Sequence, residues 1–122
     1  MLRLAESYLI RAEARAQQGK LTGAGGALAD LNVVRQRAGL GVSTANAQTD
    51  VLTAILHERR VELFTEYGHR WLDLRRTSNV NEVMSVVTPW KGGAWQLTDT
   101  LFPIPLRDIQ SDAHLTQNPG YN

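Results

Sequence analysis

The strongest constraint in this chain is a pair of apolar stripes at helical spacing, separated by a glycine turn. Ala5, Tyr8, Leu9, Ala12 and Ala16 recur at three- and four-residue steps, which places them on one face of a helix. Ala27, Leu28, Leu31, Val34 and Ala38 repeat the spacing. Gly19, followed by the turn composition Lys20-Leu21-Thr22-Gly23, ends the first run, and Gly39 and Gly41 end the second. Two amphipathic helices so close in sequence pack as an antiparallel hairpin. Ala5, Ala12, Ala16, Ala24 and Ala27 let the two backbones approach closely, while Glu6, Arg11, Glu13 and Arg15 are expected elsewhere on the first helix, in water. An Ala/Leu/Tyr helix, a glycine and an Ala-initiated second helix have the look of a tetratricopeptide-type unit. One such unit cannot bury both faces and needs neighbours to stack on.

Residues 42–49 read as a polar linker, with Thr49 or Asp50 available to cap the next helix. That helix is expected to run from Val51 to Tyr67 and to stop at Gly68. Its main stripe is Leu52, Ile55, Leu56 and Leu63, and Val61 and Phe64 lie on another side, so it reads as a central helix touched from both sides. A short helix, Arg70 to Arg76, follows. Beyond residue 77 the periodicity decays. Val80 to Met84 can make one or two helical turns, and Thr88 to Trp95 reads as an exposed loop. Leu101-Phe102-Pro103-Ile104-Pro105 must be extended, because each proline pushes its predecessor out of helical geometry. Pro105 can open a short helix through Ile109. Gln117 to Asn122 is turn chemistry, expected to be pinned back by its apolar members. The fold class is therefore mainly α: a tetratricopeptide-like hairpin (1–41), Arg/Glu-rich helices (50–76) and a loop-rich, extended C-terminal tail (77–122).

Charge and composition remove several functions. Thirteen Lys+Arg against 12 Asp+Glu leave a net charge of +1, without the basic excess of a nucleic-acid or polybasic membrane-surface protein. Cysteine is absent, which excludes disulfides, thiolate metal sites and thiol nucleophiles. No apolar run approaches the roughly 18 residues of a membrane helix. The apolar pattern already runs at Leu2 with no capping residue ahead of it. A naturally frayed first turn would look this way. So would a chain cut from a longer protein, which is the expectation adopted here because the lone hairpin also lacks neighbours. On that expectation, the lack of a leader before Leu2 says nothing of location.

The densest charge cluster sets Arg59, Arg60, Arg70, Arg75 and Arg76 against Glu58, Glu62, Glu66 and Asp73. Arg59 lies seven residues from Leu52, on the apolar stripe itself, so its guanidinium is expected to be partly buried and paired. Arg59 or Arg60 is expected to pair with Glu62, Glu66 or Asp73, or to bond carbonyls of the tail. Glu58, Glu62 and Glu66 line one helix face about 6 Å apart in rise, a spacing that resembles a glycosidase carboxylate pair. A general acid needs a raised pKa, however, and interleaved arginines keep carboxylates ionised. Structural ion pairs are the favoured reading, and no enzyme is expected. His57-Glu58 begins like a zincin helix, but Val61 stands where the second histidine belongs. His57, His69 and His114 are too scattered to hold a metal, and no cofactor is expected. Trp71, with Leu74 three residues on, reads as core. Trp90 and Trp95 flank a Gly-Gly in a polar loop, where they could stack on a sugar ring or tuck back onto the helices. They are the candidate ligand contacts.

Four stretches, in order, resemble the SusD/RagB family. They are Leu2-Arg3-Leu4-Ala5-Glu6-Ser7-Tyr8-Leu9-Ile10-Arg11-Ala12-Glu13-Ala14 and Ala29-Asp30-Leu31-Asn32-Val33-Val34-Arg35-Gln36-Arg37-Ala38-Gly39. The third is Ile55-Leu56-His57-Glu58-Arg59-Arg60-Val61-Glu62-Leu63 with Gly68-His69-Arg70-Trp71-Leu72-Asp73-Leu74-Arg75-Arg76. The fourth is Leu101-Phe102-Pro103-Ile104-Pro105 with Leu115-Thr116-Gln117-Asn118-Pro119-Gly120-Tyr121. One departure stands out: Thr65-Glu66-Tyr67-Gly68 replaces the family's Phe-Glu-Gly. The resemblance implies a helical, tetratricopeptide-like fold and the C-terminal part of a longer, non-catalytic lipoprotein on the outer-membrane surface. It implies an oligosaccharide or other nutrient as ligand and a SusC-like TonB-dependent transporter as partner. It carries no sugar-contacting residue onto these positions, so Trp90 and Trp95 rest on composition alone. The alternative reading is a tetratricopeptide-like protein–protein scaffold. In either case the uncovered hairpin face favours self-association.

Overall fold

A computed structural model describes residues 3–121; Met1, Leu2 and Asn122, and with them the expected start of the first helix at Leu2, lie outside the described residues. The elements are α1 (Leu4–Gln17), α2 (Ala27–Arg37), α3 (Gln48–Glu62), α4 (His69–Arg76), α5 (Val80–Val87) and α6 (Leu106–Ser111). Two 3₁₀ turns, Pro89–Lys91 and Leu97–Thr100, lie between α5 and α6, and no strand occurs among the described residues. The fold is all-helical, as the stripes require. The chain forms two compact units, one running to Arg70 and the other from Trp71.

In the first unit, Ala5, Leu9, Ala12 and Ala16 of α1 pack with Ala27, Leu31 and Val34 of α2 and Val51 and Ile55 of α3. Alanine at the α1–α2 contact brings the helices close, and the larger Leu9, Leu31, Ile55, Val34 and Val51 fill the centre with no exposed surface to speak of. Both helices of the hairpin close on a left-handed glycine. The Lys20 N–H donates to Arg15 O at 2.9 Å and the Gly19 N–H to Ala16 O at 3.0 Å. Leu40 and Gly39 repeat this on Arg35 O and Gln36 O, at 2.9 and 3.0 Å. These are Schellman caps, which need the positive φ that glycine takes without a Cβ clash. The start of α2 carries no side-chain cap; instead the Ala27 and Leu28 N–H groups donate to Lys20 O and Leu21 O of the connection. That folded-back turn leaves no room at Gly26, where a Cβ would sit 2.4 Å from Thr22 O.

Four expectations about α3 are corrected. It begins at Gln48 with no side-chain cap, so Thr49 and Asp50 lie inside its first turn. Gln48 caps another helix instead, its amide donating to Ala16 O at 2.8 Å at the end of α1. The buried stripe is Val51, Ile55, Glu58 and Arg59, rotated one position from the one the leucines suggest. The helix also stops at Glu62 rather than Tyr67, because Thr65 (φ 62) and Tyr67 (φ 44) turn left-handed before Gly68 (φ 71) does. Val61 and Phe64 stay exposed, so the second face of α3 is uncovered. The linker to α3 folds back along α2: the Ser43 N–H donates to Asn32 Oδ1 and Arg35 Nε to Gly41 O.

In the second unit the extended Leu101–Pro105 run is held by side chains rather than by a partner strand. The Gln117 amide spans Ile104, accepting from its N–H at 2.7 Å and donating to its carbonyl at 2.9 Å. Asn118 Nδ2 donates to Phe102 O at 2.6 Å and Tyr121 Oη to Leu101 O at 2.8 Å. The prolines at 103 and 105 remove two donors, and the tail serves four of the groups that remain. Gly120 (φ 91) packs on Thr98, whose Oγ1 lies 2.5 Å from where a Cβ would stand. The turn Leu97–Thr100, which periodicity does not announce, opens with a capping box in which the Gln96 N–H donates to Asp99 Oδ2 at 2.8 Å.

Candidate functional site

The hairpin is stapled by arginines from one helix on carboxylates of the next. Asp30 of α2 is buried and accepts three bonds: Arg11 Nε at 2.9 Å, Arg11 Nη2 at 2.8 Å and Arg15 Nη1 at 2.7 Å. The hydrogen bond and charge of Asp30 raise the pKa of Arg11. Arg11 stays exposed, as expected, while Arg15 is half-buried; the two sit one helical turn apart, so one acid across the hairpin reaches both. An acid beside the Ala27/Leu31 stripe was the available signal for Asp30, and charge alone hid it.

The three glutamates of the charge cluster pair with arginines outside it, and Asp73 with one inside it. Buried Glu58 accepts from Arg35 at 3.0 Å. Glu62 accepts from Arg37 at 2.6 Å and Arg3 at 2.9 Å, and Glu66 pairs with Arg3 as well. Asp73 pairs with Arg76, three residues on, at 2.8 Å. The three glutamates are thus held by Arg35 and Arg37 of α2 and by Arg3, the residue just ahead of α1. Arg59 is buried on α3. Arg60 and Arg70 have no carboxylate partner among the described residues, and the pKa of Arg70 is lowered, first by burial and then by repulsion from Arg60. Beside them is a cavity of about 240 Å³ lined by Arg59, Arg60, Leu63, Phe64, His69 and Arg70 among others.

The two loop tryptophans have different surroundings. Trp95 tucks in: its ring meets Trp71 edge-on at 6.1 Å and its Nε1–H donates to Asn81 Oδ1 at 3.0 Å. Trp90, in the 3₁₀ turn before left-handed Gly92, is 87% exposed. They do not offer one shared platform: one indole is committed to protein and the other faces solvent. No group of His, Cys, Asp and Glu suited to a metal occurs among the described residues, and no helix there is long and apolar enough to cross a membrane.

A glycine-capped, alanine-faced hairpin packed on a third helix defines a tetratricopeptide-like helical protein. Comparison with known proteins gives the family. The model of the SusD family matches residues 1–121. The starch-binding protein SusD of Bacteroides thetaiotaomicron is 36% identical over 99% of this chain and 21% of its own length. A SusD-like protein of Formosa agariphila is 32% identical over 99% of this chain and 24% of its own. The crystal structure of a SusD-like protein from Bacteroides fragilis superposes with a TM-score of 0.71 at 29% identity, covering 98% of this chain and 25% of that one. The chain belongs to the SusD family, and it spans about a fifth to a quarter of the length of these relatives.

Proposed function

We propose that this chain is the C-terminal helical part of a non-catalytic glycan- or nutrient-binding lipoprotein on the outer-membrane surface. It works with a SusC-like TonB-dependent transporter, and Trp90 is a ligand contact. The observation that carries the reading is membership of the SusD family over residues 1–121, next to a relative named for starch binding. Trp90 is supported by its exposure beside a Gly-Gly turn. An indole face packs well on the C–H face of a sugar, and a bare tryptophan is unusual without such a use. The engagement of Glu58 and Glu62 by arginines supports a non-catalytic role.

A glycan array of neutral and acidic oligosaccharides, probed with this chain and with Trp90→Ala, tests it. The chain should retain at least one oligosaccharide class, and the variant should lose about tenfold in affinity for it, the order expected for one stacking contact. Retention of no saccharide, or equal retention by both proteins, contradicts the proposal.

A further inference from the structure

The corner between α3 and α4 carries a second surface, independent of the glycan reading. Val61, Phe64 and Tyr67 expose large apolar side chains within seven residues, Phe64 and Tyr67 at 72% each. Of these, Phe64 lines the cavity, together with Arg59, Arg60, Leu63, Glu66 and Arg70 among others. Clustered aromatics with arginine are the composition of binding hot spots, and contiguous exposed apolar groups mark interaction surfaces. Arg60 and Arg70 both line this cavity and neither has a carboxylate partner among the described residues, while Glu66, the carboxylate in the lining, is taken by Arg3. The loop is also preformed. Thr65 and Tyr67 hold positive φ although neither is glycine, and a β-branched threonine rarely does so. Such a backbone persists where its surroundings fix it. Glu66, between the two, is held by Arg3, and His69 lies 3.7 Å from Glu6. A loop pinned at Glu66 and His69 loses less entropy on binding than a free one.

We propose that the corner formed by Arg60, Phe64, Tyr67 and Arg70 docks an acidic polypeptide segment that presents an apolar side chain. The apolar residue enters the cavity beside Leu63 and Phe64, and the segment's carboxylate takes the place between Arg60 and Arg70. Charge complementarity selects this occupant over a neutral one, since a partner without a carboxylate would cover two like charges and leave both unpaired.

The test is titration of the ¹⁵N-labelled chain at low salt with Ac-Asp-Leu-Phe-Glu-NH₂ and its amide counterpart Ac-Asn-Leu-Phe-Gln-NH₂. The acidic peptide should bind about tenfold tighter and shift the signals of residues 60–70, the preference collapsing to within about twofold in Arg60→Gln. Phe64→Ala should weaken both peptides while leaving their ratio intact. Both side chains are exposed, so these variants keep the fold, which circular dichroism verifies. Equal binding of the two peptides, binding by neither, shifts away from 60–70, or an unchanged preference in Arg60→Gln overturns the proposal. So does saturation of these signals by glucuronate alone, or by a second copy of the chain at high concentration.

Discussion

Ser78 occupies the position after α4 where Gly19 and Gly39 sit after α1 and α2. Its φ is 61, and the same pair of bonds forms: Asn79 N–H to Leu74 O at 3.0 Å and Ser78 N–H to Arg75 O at 3.2 Å. A Cβ in this conformation costs about 1–2 kcal/mol, and glycine's extra chain entropy returns about 0.5–1 kcal/mol of that. Ser78→Gly should therefore stabilise the protein by roughly 0.5–1 kcal/mol, read as a higher urea midpoint at unchanged slope. Asp30 argues in the other direction. Asp30→Asn keeps the shape and removes the charge that holds two guanidiniums. It should lower stability by about 2 kcal/mol, the range of hydrogen bonds to charged groups, with Arg11 and Arg15 partly recovering solvent. An unfolding midpoint equal to wild type would show that the staple contributes nothing. Sequence showed Arg59 as a buried cation because it falls on the apolar stripe. It did not show Asp30, because an acid one residue from the stripe looks the same as one on the wet face.

At the scale of elements, α1 and α2 were legible to within a residue or two, since stripe, small-residue face and glycine stop agree. The end of α3 was not. Its apolar spacing continues past Glu62, but Leu63 turns into the core and Arg3 draws on Glu66, so tertiary contacts end the helix before its glycine. The extended run at Leu101–Pro105 followed from its prolines, whereas the device that holds it did not. Four backbone groups of that run are served by three side chains, those of Gln117, Asn118 and Tyr121. Spacing patterns carry no signal for such side-chain substitution of a strand. Gln117→Ala removes two of these bonds and should release the run, costing about 1–3 kcal/mol locally. The Ile104 amide should then exchange with deuterium about tenfold or more faster, while the amides of α1 keep their protection. Unchanged exchange at Ile104 would show that the run is held by packing.

For the whole molecule, the family was legible because motifs that look like function are devices of fold. The Asn32, Arg35 and Arg37 group of α2 ties down the linker and the glutamates of α3, and the Gln-Asn…Tyr ending clasps the extended run. The proposed ligand contact was only half legible. Composition singles out Trp90 and Trp95 equally, and only the fold separates them, because Asn81 and Trp71 occupy one and nothing covers the other. The most direct measurement is an indole Nε1–H titration by NMR, with three tryptophans to read, using the oligosaccharide retained on the array. The Trp90 signal should move and saturate with ligand while Trp71 and Trp95 stay within line width. Three unmoved indoles at saturating oligosaccharide, or movement of Trp71 and Trp95 without Trp90, would contradict the account.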